Sequence, residues 1–145
     1  MAVKALSYIG VNSNKFEDWS IYSQKYLGMQ KIDHGKDILS FRMDDQKQRL
    51  TITGEKGDSL GFLGWEVETK EDLQIFASKL EKNKIIVHQG KSSLVNKRFV
   101  DDLIYFDDPQ GNRIELVYKP MIDTDPFKPG RPISGFKTGA LGMGH

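Results

Sequence analysis

A strand–helix–three-strand plan runs twice through residues 1–118, and this constrains the fold more than any other feature of the chain. In the first pass, Val3–Val11 begins with the apolar–polar alternation of a strand. Asn14 is placed to cap a helix over Lys15–Tyr26, where Phe16, Trp19, Ile21, Tyr22 and Tyr26 recur at roughly helical spacing. Leu27-Gly28 ends that helix. Strands are expected at Met29–Asp33, Ile38–Met43 and Arg49–Thr53, separated by His34-Gly35-Lys36, Asp44-Asp45 and the stretch Gly54–Ser59.

The second pass opens with a strand at Phe62–Val67. Thr69 then caps a helix with Asp72 three residues on, a shorter-armed capping box. That helix runs to about Lys82 with Leu73, Phe76, Ala77 and Leu80 on one face. Lys84–Val87, Val100–Asp107 and Asn112–Tyr118 are the strands that follow, and Ser92–Lys97 carries no decisive pattern. Asp108-Pro109-Gln110-Gly111 is a turn, since proline presets φ and glycine tolerates positive φ. The expected fold class is α+β: paired βαβββ modules, at about residues 1–56 and 57–118, whose curled sheets form an open mixed sheet around a shared cavity. Identity between the halves is negligible, so the repeat is one of pattern only.

Composition removes several functions. Lys+Arg total 21 against 20 Asp+Glu, a net charge of +1, which gives no footprint for nucleic acid or an anionic membrane. There is no cysteine, so neither a disulfide framework nor a thiolate metal site can form. The opening MAVKALSYIG lacks the apolar core of a signal peptide, and no apolar run reaches the length of a membrane span. The cytosol is the expected location. No nucleophile-elbow motif is present. The glycines at 139, 142 and 144 do not sit between a strand and a helix, as a phosphate cradle would require. The lysines between Lys79 and Lys97 are diluted by Glu81 and read as a solvated face. His34, before Gly35, and His88, beside a loop, read as solvated.

Residues 119–145 form a tail. Pro120, Pro126, Pro129 and Pro132 bar regular helix or central strand there, so an extended run is expected, with Phe127, Ile133 and Phe136 as anchors.

Three segments carry a resemblance. Phe106-Asp107-Asp108-Pro109-Gln110-Gly111-Asn112-Arg113-Ile114-Glu115-Leu116 resembles the signature hairpin of the vicinal oxygen chelate superfamily (glyoxalases, bleomycin resistance proteins and dioxygenases). Leu63–Val67 and Ala5–Val11 resemble the opening strands of its two modules. The tail GRPISGFKTGALGMGH resembles the interdomain linker of two-domain type I extradiol catechol dioxygenases of the dihydroxybiphenyl and dihydroxynaphthalene kind.

The resemblance implies a parent enzyme that cleaves aromatic diols with Fe(II), or sometimes Mn(II), held by two histidines and a glutamate. Such a facial triad leaves positions open for a bidentate catecholate and for oxygen. It also implies that all three ligands lie in a C-terminal catalytic domain, which is absent here. The metal-ligand positions of this front domain are then held by Tyr8, Phe62 and Glu115, a vestigial set, and no cofactor is expected for this chain. Tyr8 and Phe62 would fill the space of a metal. Glu115, facing inward, would need a partner, with Arg42, Arg49 and Arg113 as candidates. His145 matches the family's first metal ligand and would serve only with the catalytic domain present. The resemblance therefore implies a non-catalytic front domain with a scaffolding role, partnered by the missing domain and expected to be homo-oligomeric. Whether the chain is truncated or naturally short stays open, as does the identity of the diol. Two other readings follow from the same superfamily. One is a stand-alone, metal-free small-molecule binding module using Trp19, Trp65, Tyr8 and Tyr105 as stacking faces. The other is a glyoxalase-type enzyme completed across a dimer, against which Tyr8 and Phe62 argue.

Overall fold

The computed structural model describes residues 2–55 and 57–133. Its contacts divide the chain into two units. The first comprises Tyr8–Gly61 with the tail from Ile122. The second comprises Met1–Ser7 with Phe62–Met121. Each unit carries the expected plan, so the α+β class and the paired βαβββ modules stand.

In the first unit, β1 (Val3–Asn12) pairs in parallel with β4 (Leu50–Thr53), Ile9 lying opposite Leu50 and Asn12 opposite Thr53. β4 pairs antiparallel with β3 (Ile38–Arg42), and β3 with β2 (Gln30–Ile32). One face of this sheet presents Leu39, Phe41, Leu50 and Ile52. Phe16 and Trp19 of α1 (Phe16–Ile21) pack onto that cluster. Phe41 and Ile52 are fully buried, and burial of each side chain contributes about 1.5–3 kcal/mol. The other face of β3 and β4 carries Ser40, Arg42 and Thr51, which are buried too.

The second unit repeats the arrangement. β5 (Ser59–Val67) pairs in parallel with β8 (Arg113–Pro120), Gly64 lying opposite Glu115. β8 pairs antiparallel with β7 (Val100–Asp107), which pairs with the short β6 (His88–Gln89). Helix α2 (Lys70–Lys82) buries Leu73 against Val67, Ile104 and Leu116. The capping box is present in full: Thr69 Oγ1 accepts from Asp72 N, and Asp72 Oδ2 accepts from Thr69 N, both at 3.2 Å.

Several local expectations change, and one undecided segment is resolved. β8 runs on to Pro120, which lies opposite Val100, although proline was expected to bar a strand there; it sits at the strand's last position, where its missing N–H costs least. Asn14 does not cap α1. The cap position is Lys15, without a side-chain bond, and Ser13 Oγ accepts from Lys15 N at 3.2 Å instead. The expected single helix is a short α-helix running into a π-helical turn at Tyr22–Tyr26. The expected strand Lys84–Val87 is not a strand. Lys84 N bonds Glu81 O and Ile85 N bonds Leu80 O, with Lys84 at φ 62°. These two bonds are the Schellman closure of α2, with lysine where glycine is usual. The undecided Ser92–Lys97 is helical, as α3 (Ser92–Arg98).

The described tail is clamped to the first unit. Gly130 N donates to Gly28 O, and Lys128 N to Gln30 Oε1. Asp123 N donates to Asp45 O, and Arg42 Nη1 donates to Asp125 O at 2.9 Å. Gly28 sits at φ 70°, with the Ile133 side chain pressed where a Cβ would be, so both backbone and packing require glycine there. No described helix is long and apolar enough to cross a membrane.

Candidate functional site

The alternation of β8 decides which side chains face inward. Ile114, Leu116 and Tyr118 turn toward α2, so Arg113, Glu115 and Val117 occupy the opposite face. Glu115 is fully buried there, with Gly64 and Tyr105 as its cross-strand neighbours. Its partner arrives from α3. Phe99 ends that helix at φ 53°, a left-handed conformation, and Arg98 just before it is turned inward and buried.

Two guanidinium groups engage both oxygens of Glu115. Arg98 Nε donates to Glu115 Oε2 at 2.9 Å and Arg98 Nη2 donates to Oε1 at 3.0 Å. Arg113 Nε donates to the same Oε1 at 3.0 Å. The two guanidinium planes also cover aromatic rings. Arg98 lies 3.6 Å from the Phe62 centroid and Arg113 lies 3.8 Å from that of Tyr105. His88 stacks on Tyr105 with centroids 4.9 Å apart. A carboxylate this deep is stable only with such partners, since an unpaired buried charge costs several kcal/mol.

This settles the open choice of partner for Glu115. Arg113 is one, and Arg98, which no local sequence pattern singles out, is another. Arg42 and Arg49 serve elsewhere. Arg49 Nε forks onto both oxygens of Asp44, at 2.9 and 3.1 Å. Arg42 donates to Asp44 O and reaches Asp123 at 3.3 Å. Both of these arginines belong to the first unit. Asp123 is held below the ordinary aspartate range chiefly by the hydrogen bond from Asp125 N, with Lys47 and Arg42 adding to it. Asp58 is lowered by hydrogen bonds from Ser13 and Lys15, and Asp108 by those from Asn112.

The other singled-out residues fall as follows. Tyr8 is buried in the first unit and Phe62 in the second. His34 is hydrogen-bonded rather than simply solvated: its Nδ1 lies 2.6 Å from Ser40 Oγ, which continues to Thr51 and Gln48. His88 is exposed on one side and stacked on the other. His145 and Phe136 lie outside the described residues. Metal ligation does not fit the vestigial set. Both Glu115 oxygens are engaged by cations, and Phe62 offers a ring already covered by Arg98. Among the described residues no three His, Asp or Glu side chains are grouped to hold an ion.

Comparison with known proteins fits this geometry. Residues 6–54 match the family model described as dihydroxybiphenyl dioxygenase BphC D1. Biphenyl-2,3-diol 1,2-dioxygenase of Sphingomonas paucimobilis is 34% identical over 148 residues, an alignment that takes in 100% of this chain and 50% of that protein. A 1,2-dihydroxynaphthalene dioxygenase of Pseudomonas putida is 34% identical, over 99% of this chain and 49% of its own length. A crystal structure of catechol 2,3-dioxygenase superposes with a TM-score of 0.92 at 33% identity, covering 100% of this chain and 52% of that one. The chain matches the N-terminal domain of extradiol dioxygenases. It spans about half the length of the curated relatives it matches. The Glu115 cluster is an ion network on the face of β8 that turns away from α2.

Proposed function

We propose that this chain is the non-catalytic front domain of an extradiol dioxygenase that uses Fe(II), or Mn(II), to open catecholic or bicyclic aromatic diols, and that it holds no metal itself. The carrying observation is the engagement of both Glu115 oxygens by Arg98 and Arg113. A carboxylate whose charge is already balanced by two guanidinium groups, with both oxygens engaged, is a poor ligand for a further cation. The front domain then scaffolds a C-terminal catalytic domain, in the cytosol, within an aromatic-degradation enzyme. The printed activities of the relatives, on biphenyl-2,3-diol and 1,2-dihydroxynaphthalene, support the substrate class.

The test is metal analysis of protein purified without oxygen, with a catechol ring-cleavage assay on the same sample. Substoichiometric iron and manganese and no yellow ring-fission product are expected. One metal per chain together with turnover overturns the proposal.

A groove of about 760 Å³ in the first unit favours a second reading, that of a metal-free binding module. Phe16, Ile38 and Leu39 line it beside Glu17, Lys31 and Lys36. Saturable binding of a small aromatic compound, lost in Phe16→Ser, would mark that role. Titration without any saturation removes it.

A further inference from the structure

The two modules differ in what joins their outer strands. Between β6 and β7 the chain folds into α3. Between β2 and β3 it makes only a short hairpin turn across residues 33–37. The groove of about 760 Å³ lies between this hairpin and α1, and its size is that of a small-molecule site.

The lining is polarised. Phe16 and Leu39 give it an apolar floor. Glu17 stands on the α1 side, and Lys31 and Lys36 stand on the hairpin side. Lys31 lies opposite Phe41 in the strand pairing, so it shares the sheet face onto which Phe16 packs. Asp33, the other acid of the lining, is engaged within the turn, where its Oδ1 accepts from Gly35 N at 3.3 Å. Glu17, Lys31 and Lys36 are exposed, and none makes a side-chain hydrogen bond or ion pair among the described residues. His34 closes one wall. Its Nδ1 lies 2.6 Å from Oγ of the buried Ser40, so the ring is held in place before any ligand arrives, which lowers the entropy cost of binding.

Two ammonium groups thus face one carboxylate across an apolar floor. The complementary molecule is flat and apolar, with a single anionic group at one end and a hydrogen-bond donor at the other. A second anionic group would meet Glu17, and a cation would meet the lysines. We propose that the groove binds an aromatic hydroxy acid, a claim that rests on its being the metal-free binding site of the second reading of function. The carboxylate faces Lys31 and Lys36, the ring lies over Phe16 and Leu39, and the hydroxyl donates to Glu17.

Amide NMR titration of the 145-residue chain tests this, with 4-hydroxybenzoate, benzoate and 4-hydroxybenzamide as probes at neutral pH. 4-Hydroxybenzoate should saturate, with shifts at the groove residues, and bind about tenfold tighter than either of the others. Lys31→Met/Lys36→Met should erase its advantage over the amide and leave the amide's own affinity unchanged. Glu17→Ala should erase its advantage over benzoate without weakening benzoate itself. All three substituted side chains are exposed, and the rest of the spectrum reports whether the fold is kept.

Acid and amide binding alike overturns the proposal and leaves the groove a binding site of other specificity. A double lysine variant that keeps the preference for the acid overturns it too, as does a Glu17→Ala variant that keeps the preference for the hydroxyl. Titrations in which none of the three probes saturates overturn both this assignment and the binding-module reading beneath it.

Discussion

Arg98 is the residue on which the inner face of the second unit most depends. Arg98→Ala would remove two of the three guanidinium bonds described for buried Glu115, and the expected loss is about 3–5 kcal/mol in urea unfolding. Arg98→Met with Glu115→Leu removes both charges and should recover most of that loss, which a double-mutant cycle reads directly. Equal losses for the single and double variants would mean that packing over Phe62, rather than charge, is what Arg98 supplies. Lys84 offers the opposite sign. It is exposed and sits at φ 62° in the helix closure, so Lys84→Gly should stabilise by about 1 kcal/mol. The charged partner of Glu115 was half legible in the sequence. Arg113 lies two residues away on the same strand face, as period two dictates. Arg98 could be placed only by knowing that Ser92–Arg98 is helical and that Phe99 turns left-handed, and no local pattern states either.

The two amphipathic helices show why elements were read unequally. Thr69 and Asp72 form a mutual cap that depends only on local spacing, so it was visible in advance and is present in the structure. Thr69→Ala should cost about 1 kcal/mol in thermal or denaturant unfolding. Asn14→Ala should cost nothing measurable, since Asn14 is exposed and α1 starts without a side-chain cap. Equal costs at both positions would contradict the assigned caps. The π turn at Tyr22–Tyr26 was not legible, because aromatic spacing at 19, 22 and 26 suits an α-helix as well. Lys84–Val87 misled for a related reason. Ile85, Ile86 and Val87 look like a strand, yet Leu80 and Ile85 close the preceding helix and leave Ile86 exposed. The Asp108–Gly111 turn, by contrast, was readable from its proline and glycine, and Gly111 lies at φ 83°.

At the scale of the whole molecule, acid should act on the tail clamp. Asp123 titrates below the ordinary aspartate value of 3.8, so its proton leaves more readily in the folded state. Its stabilisation is present above that value and is lost as pH falls through the lower, folded one. Asp58 and Asp108 shift the same way. Stability should therefore hold from neutral pH down to about 4 and fall below it. Asp123→Asn should flatten part of that fall, as measured by thermal melts across pH 2–6. An unchanged profile would remove Asp123 as a contributor. The units are also interleaved along the chain. The stretch from Tyr8 to Gly61 is completed by residues beyond Ile122, and the first residues of β1 are counted with Phe62–Met121. Neither unit is a contiguous stretch of polypeptide. During synthesis the first module must therefore wait for residues near 130 to leave the ribosome before its clamp can close. Such sequence-distant closure makes folding slow, and it exposes unfinished sheet to aggregation while the chain is still growing.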